Sequence, residues 1–343
     1  MTAAQTNTPG WKALLFRYET LLFLVLIVEW LLFYYYGTSV NRRGVTVGFG
    51  TVARQMDILR HSCEIGLLAL ALTPVIITAG IDLSVGSLLG LCAIIFGKLW
   101  HDGGLGLPLA AALTLLAGAL AGGVNAGLIT RLRLPPLIVT LGTYSLFRGV
   151  AEAITHGSVT YTDFPASFLF IGQEQWLGLP VQAWLFLPVA IAVWVLVHGT
   201  ATGRSLRAIG FSPEGARYAG LPVNRRVALV YVLSGFIAAL AALIYTARLG
   251  QAKADAGTGY ELFAITAVVL GGTSIFGGRG SVTGTLLGVA AIAVLKSGLA
   301  TLPAVIRLNA AEEIAGLATG ALLLLALGLG AWSASLAGRR SSR

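Results

Sequence analysis

Charge is what this 343-residue chain has least of: charged residues make up 11%, against roughly 25% in an average soluble protein. That is too few to cover a water-facing surface, so a soluble enzyme is excluded. The 56% hydrophobic content likewise excludes a disordered chain. Cysteine is nearly absent, and Cys63 and Cys92 cannot build a disulfide framework; they read as packed thiols in or beside apolar runs. The four histidines, His61, His101, His156 and His198, show no metal-ligand spacing, so no metal site is expected. The only lysines are Lys12, Lys98, Lys253 and Lys296, and none completes a G-x-x-x-x-G-K-[ST] loop. The chain is therefore expected to hydrolyse no ATP by itself and to bind no cofactor.

What is abundant is apolar sequence and glycine. Mean hydropathy is +0.83, and the 44 glycines are nearly twice the usual share of about 7%. Small residues let membrane helices approach closely. The fold class is an all-α, polytopic membrane protein, read as a single membrane-spanning domain over 1–343. The N-terminus, Met1 to Trp11, is polar, and no cleavage site follows the first apolar stretch, so a cleaved signal peptide is not expected. Ten candidate spans follow, at about 21–36, 65–79, 84–100, 107–129, 135–154, 181–198, 227–247, 262–276, 282–300 and 312–330. Two of them, 65–79 and 262–276, are short and end in Gly-rich breaks, the pattern of broken helices that line a pathway.

Ten spans put both termini on one side. With the termini inside, thirteen basic residues fall on inner segments, against seven on outer ones: Arg42, Arg43, Arg54, Arg60, Arg248, Lys253 and Arg307. The positive-inside rule supports that orientation and accounts for the net charge of +9 without nucleic acid. Segment 37–64, which holds four of the seven, fits the scheme least well and reads as an amphipathic helix at the interface. A weak internal repeat sets Val75–Thr78 followed by Gly86-Ser87-Leu88-Leu89-Gly90 beside Val268–Gly271 followed by Gly284-Thr285-Leu286-Leu287-Gly288. It points to two similar bundles with the pathway near their interface.

Several segments carry the chemistry. In Gly80-Ile81-Asp82-Leu83-Ser84-Val85-Gly86-Ser87 a carboxylate lies between apolar runs, so Asp82 must face backbone donors, a water-filled cavity or a cation. Ser84 suits an N-cap and Asp82 the positive end of the same helix. The segment is either a capped helix start or part of the pathway itself. Asn125, among small residues, either bonds between helices or lines a pore. Gly271, Gly272 and Thr273 open a Gly-rich stretch that reads as a backbone break. Arg148 and Glu152, at i,i+4 in an apolar span, are expected to form a structural ion pair rather than to touch substrate. In the longest polar insertion, 199–226, Ser212 can cap, Pro213 and Glu214 suit a first turn, and Gly220 followed by Pro222 stops the helix. The resulting short helix, with Gly215, Ala216 and Arg217, is marginal alone in water and makes sense docked on a cytoplasmic partner; the alternative is an ordinary basic loop.

Together these segments resemble the permease subunit of ribose-type ABC sugar importers. The resemblance spans roughly 21–330 and is carried by GIDLSVGSLLG at Gly80–Gly90, Phe147-Arg148-Gly149, Gly203–Gly220, and AGTGYELFAITAVVLGGTSIFGGRGSVTGTLLG at Ala256–Gly288. It implies an all-α bundle like those of type II importers, in a bacterial plasma (inner) membrane, working as a pair with a second permease copy or paralogue. It implies cytoplasmic ABC ATPase subunits that use the ATP, and an extracytoplasmic sugar-binding protein that holds most of the affinity; the outer segments 155–180, which carries Asp163 and Glu174 and no Lys or Arg, and 248–261 are expected to form part of its docking surface. Within the family the chain is similar to permeases for rhamnose and for autoinducer-2. The Phe211–Arg217 stretch departs from the ribose-permease pattern, where Asn commonly stands near Phe211. The expected substrate is rhamnose or another monosaccharide first and autoinducer-2 second. Rival readings are a proton-coupled secondary transporter using Glu29, Asp82 or Glu152, and an intramembrane enzyme, for which no aspartate dyad or Ser/His pair is present in the spans.

Overall fold

The computed structural model describes residues 18–40, 46–302, 314–322 and 324. The chain enters as α1 (Tyr18–Gly37), turns through a small antiparallel hairpin of β1 (Thr38–Val40) and β2 (Thr46–Gly48), and re-enters as α2 (Val52–Ile77). Next come α3 (Val85–His101), α4 (Leu107–Thr130) and α5 (Pro136–Ile154), then the short α6 (Ala166–Gln173) and a hairpin of β3 (Gln175–Trp176) with β4 (Leu179–Pro180). Helix α7 (Val181–Trp194) widens into a π-turn over Val195–Gly199. Two helices outside the spans, α8 (Ala201–Phe211) and α9 (Pro213–Tyr218), lead to α10 (Val223–Leu249), α11 (Tyr260–Leu270) and α12 (Val282–Leu299). Residues 314–322 are helical again.

Among the described residues seven helices are long and apolar enough to cross a membrane: α1, α2, α4, α5, α7 with its π-turn, α10 and α12. The shorter α3 and α11, with 17 and 11 residues, rise about 25 and 16 Å at 1.5 Å per residue, less than the roughly 30 Å of the hydrocarbon core. The expected spans thus recur as helices, with two corrections of extent. The span expected at 65–79 begins at Val52, so the described residues of 37–64 are no separate interfacial helix; they lie in the paired strands β1 and β2 and the first half of α2, whose N-cap Thr51 accepts from Arg54 N. The span expected at 262–276 stops at Leu270, because Gly271–Gly280 turns back. The remainder of the 312–330 span, with Arg42, Arg43, Arg307 and both chain ends, lies outside the described residues.

The layering follows from the bilayer as solvent. Helix α2 is the axis, 83% buried over its apolar window, and α10 is next at 61%, while α1 is 11% buried and presents leucines, valines and tyrosines outward. Lipid tails are as apolar as leucine, so helices associate through close packing of small residues rather than through hydrophobic exclusion. The α4–α10 crossing shows this. A Cβ added at Gly235 would run into the Gly118 carbonyl and lie 2.8 Å from Gly122 N, and one at Gly122 would strike the Tyr231 carbonyl. Two sides are distinguishable. On one, Tyr161 pairs with Ala252 and Arg60 Nη2 donates to Gln173 O (3.0 Å). On the other, α8 packs under the ends of α2 and the Gly271–Gly280 turn.

A clash at this crossing has a defined consequence. Gly235→Val is expected to destabilise the permease fold by about 1–3 kcal/mol or more through overpacking, read as lower recovery of monodisperse protein and a lower melting temperature in detergent. Gly127→Ala, where nothing lies within 4 Å of the added Cβ, is expected to leave both unchanged or improved.

Candidate functional site

The break between α2 and α3 is built around one carboxylate. Helix α2 ends at Ile77, and Ala79 takes a left-handed φ of 62° to turn the chain. Asp82 is buried; its Oδ1 accepts from Ser84 N (3.0 Å) and Ser84 Oγ (2.6 Å), and its Oδ2 accepts from Ser234 Oγ on α10 (3.0 Å). Ser84 Oγ in turn accepts from Asn125 Nδ2 on α4 (2.9 Å), and Thr140 Oγ1 on α5 donates to the Ile81 carbonyl (3.0 Å). Of the possible partners, Asp82 thus has a backbone donor and two hydroxyls. Ser84 does not cap α3 as expected: it stands at the N-cap position in helical backbone conformation and makes no side-chain capping bond, because its hydroxyl is spent on Asp82. Ser87 Oγ donates to Ser84 O (3.0 Å), and Gly80 lies against the Tyr231 hydroxyl. Asn125 bonds between helices, the first of its two expected roles.

A second break faces the first. Segment 250–259 leaves α10 and reaches α3, where a Cβ on Gly90 would fall 2.8 Å from the carbonyl oxygens of Ala254 and Ala256 and one on Gly86 would strike the Glu261 carboxylate. Non-helical carbonyls at this depth need donors from within the protein. Arg148 supplies them: Nη1 donates to the Ala254 carbonyl and to the Ala256 carbonyl (3.1 Å). The expected Arg148–Glu152 ion pair is therefore not formed. Arg148 points inward to the break, Glu152 is exposed, and no salt bridge joins them among the described residues. At the other end of α11, Gly271 closes on Gly284, Gly272 turns at φ 87° beside the Tyr18 ring, and Thr273 is buried. Of the glycine pairs of the sequence repeat, Gly86 meets the start of α11 and Gly90 the segment before it, while Gly284 and Gly288 close on its other end.

The polar insertion holds two helices, one more than its sequence suggested. Thr200 Oγ1 caps α8 by accepting from Gly203 N (3.1 Å). Ser212 Oγ caps α9 by accepting from Gly215 N (3.0 Å), with Pro213 and Glu214 in the first turn, and Gly220 ends it at φ 78°. Ala216 packs with Ile209 and Val223, while Phe211, Glu214, Arg217 and Tyr218 are exposed; Phe211 and Tyr218 show 84% and 94% of their surfaces. A shallow recess of about 300 Å³ beside α9 is lined by Arg217, Pro222, Val223, Asn224 and Arg225. At the C-terminal end of α8 a Cβ on Gly210 would strike the Ile77 carbonyl, the same oxygen that accepts from Gly278 N (2.9 Å). One point thus joins α8, the end of α2 and the Gly-rich turn.

Sequence reasoning missed two features. Glu64, fully buried on α2, pairs in bidentate fashion with Arg248 of α10 (2.6 and 3.0 Å). The signal was an acidic residue opening an apolar run. Arg54, Asp57 and His61 share a face of α2 beside Lys296 of α12; their i, i+3, i+7 spacing was the signal. Outside the spans, Asp102 accepts from Tyr161 Oη (2.8 Å) and contacts His101 (3.0 Å). These hydrogen bonds, His101's first, hold the Asp102 carboxyl below its ordinary range, and burial with the Asp102 contact pushes the Tyr161 phenol up to about 12.

Residues 54–327, from the first turn of α2 onward, match the family described as "Branched-chain amino acid transport system / permease component". The chain belongs to this family. It is 42% identical over 265 residues to the autoinducer 2 import system permease protein LsrD of Escherichia coli (strain K12), covering 74% of this chain and 80% of that one. It is 41% identical over 266 residues to the LsrD protein of Yersinia enterocolitica, covering 76% and 78%. A solved structure described as an inward-facing conformation of a metal-chelate type ABC transporter shares the fold with a TM-score of 0.51 at 15% identity, over 89% of this chain and 98% of that one. The protein is a multi-pass permease subunit of a ribose-type ABC importer in the inner membrane, not an enzyme; such permeases work with a separate ATPase and a binding protein. The proton-coupled and intramembrane-enzyme readings fall with that assignment.

Two substitutions separate the hydrogen-bonding roles. Asp82→Asn keeps an acceptor for Ser84 and is expected to be mild. Asp82→Leu strands three donors, at about 1–3 kcal/mol for each group left unsatisfied, and is expected to lower the melting temperature of the purified permease sharply. Arg148→Met is expected to destabilise the protein while Glu152→Gln leaves its melting temperature unchanged; equal losses in the two variants would restore the ion pair.

Proposed function

We propose that the permease imports autoinducer-2 or a small hydroxylated solute close to it, ahead of the rhamnose expected from the sequence. The observation that carries this reading is the 42% identity, over 74% of the chain, to autoinducer 2 import permeases. In this reading the α8–α9 side is cytoplasmic, both termini lie there, and two permease subunits pair across the membrane. ATP is used by the cytoplasmic ATPase subunits, and the substrate arrives from an extracytoplasmic binding protein that docks on 155–180 and 248–261.

The coupling surface is Ser212–Gly220 with the exposed Phe211 and Tyr218 rings beside it. Large aromatics exposed at the ends of two short capped helices, Phe211 on α8 and Tyr218 on α9, suit burial in a partner's groove. Movement of the ATPases shifts α9 and α8, and Gly210 passes that shift to the Ile77 carbonyl and Gly278, hence to the end of α2 and the Gly271–Gly280 turn at once. The glycines there leave no side chain to cushion the displacement. The paths beyond, past Gly80–Ser87, Asn125 and Gly271–Thr273, open when these seams separate.

The test is reconstitution in liposomes with the ATPase and the binding protein. ATP-dependent accumulation of autoinducer-2 is expected, with rhamnose a poor competitor; efficient rhamnose uptake without autoinducer-2 uptake would reverse the order of substrates. A Phe211→Ser/Tyr218→Ser double variant is expected to insert and fold normally, since both rings are exposed, yet to lose at least about tenfold in ATPase association, equivalent to 1.4 kcal/mol. Undiminished complex recovery would reject α9 as the coupling helix.

A further inference from the structure

A recess of about 190 Å³ opens between the first half of α2, the start of α11 and the end of α12, on the side away from α8 and α9. Its polar lining is Arg54, Asp57, His61, Tyr260, Lys296 and Ser297, with Ile58, Ile65 and Ile292 as the apolar wall. His61 lies nine residues into α2, about 14 Å along a membrane-spanning helix, and it is exposed. Ionisable side chains at such depth do not face lipid; they face protein or a water-filled cavity. Four of them on one open recess mark a wetted surface.

The recess is held in shape from behind. Arg54 Nη2 donates to the Ser297 carbonyl (3.2 Å), and its Nε is buried with no partner among the described residues. Asp57 contacts Arg60 (3.4 Å), which keeps one acceptor in place. Lys296 Nζ stands over the Phe263 ring (5.2 Å), and Tyr260 engages the Glu64 carboxylate, itself clamped by Arg248. Donors, one acceptor, an imidazole, a hydroxyl, an aromatic ring and an aliphatic wall therefore converge on one small space. That mixture suits a ring carrying several hydroxyls on one edge and C–H groups on the other. The volume falls below the roughly 300 Å³ at which pockets for drug-sized ligands begin, which limits the occupant to a single small ring.

We propose that this recess is a substrate-contact site in the extracytoplasmic half of the pathway, binding a small neutral polyhydroxylated solute after its release from the binding protein. It rests on the importer reading above and adds to it the residues that meet the solute: Arg54 and Lys296 as donors, Asp57 as acceptor, and Tyr260 beneath the ring. The site is shallow and wet, as a transfer site must be if the solute is to leave it.

The test uses Ser297→Cys in the full permease, assembled with its ATPase and binding protein in liposomes. Arg54 bonds the backbone carbonyl of Ser297, not its side chain, and the native Cys63 and Cys92 are buried. A membrane-impermeant methanethiosulfonate reagent added from the side opposite the ATPase is expected to label this variant. Autoinducer-2, L-rhamnose or D-ribose is expected to slow labelling severalfold. Adding Lys296→Gln to the Ser297→Cys variant is expected to abolish that protection, read as the ratio of labelling rates with and without solute in the same variant. No labelling, which would mean that another chain covers the recess, overturns the proposal. So does labelling that none of the three solutes slows, or that responds only to anionic lipid in the vesicle. If protection is seen but ATP-driven uptake of autoinducer-2 is not, the site stands and the transport reading fails.

Discussion

A backbone that leaves the helical path inside a membrane must find every hydrogen bond within the protein, since lipid offers none. Partly buried non-helical backbone recurs here at 78–84, 250–259 and 271–281, and much of the polar chemistry answers the same demand. Asp82 gathers Ser84 N and two hydroxyls, Thr140 meets the Ile81 carbonyl, and Arg148 meets those of Ala254 and Ala256. The Ile77 carbonyl accepts from Gly278 N, and the Leu270 carbonyl from Tyr18 Oη (2.8 Å). Apart from the local Asp82–Ser84 contacts, the partner comes from a distant part of the chain, so satisfying the breaks also ties the bundle together.

That arrangement makes the breaks interdependent. Helix α11 is held at its N-terminal end by Gly86 and at its C-terminal end by Gly284 and Gly288, so any change in its tilt is felt by both α3 and α12. Helix α8 presses on the seam between α2 and the Gly-rich turn through Gly210. The lipid-facing helices α4, α5 and α7, each less than one-third buried, surround this centre. The division suits a transporter: the ring keeps the protein in the bilayer while short helices at the centre shift against one another.

The buried Glu64–Arg248 pair follows different physics. Removing two charges from water is expensive, and such a pair adds to stability only with close geometry. Bidentate contact at 2.6 and 3.0 Å provides it, and Tyr260 engages the carboxylate as well. The pair links α2 to α10 beneath the recess that carries Arg54, His61 and Lys296. Charges scarce in the chain as a whole are thus concentrated where two central helices meet and where the surface cannot be lipid.

Composition and periodicity alone determined the solvent of this protein, the order of its apolar helices among the described residues and the two Gly-rich breaks, because burial in lipid depends on local runs of apolar residues. The capped helix at 213–218 was legible for the same reason: Ser212, Pro213 and Gly220 act within a few residues of themselves. The extent of α2 was not, since its first half carries Arg54, Asp57, Arg60 and His61 and looks amphipathic until α11 and α12 are placed beside it. Nor was the role of Ser84, whose local preference for capping yields to Asp82, or the partner of Arg148, four residues from Glu152 and more than a hundred from the carbonyls it serves. Local rules set which segments are helical and where they stop. Which polar group meets which was decided only in three dimensions, because an unsatisfied carbonyl in a bilayer takes the donor that the packing brings to it, whatever the sequence separation.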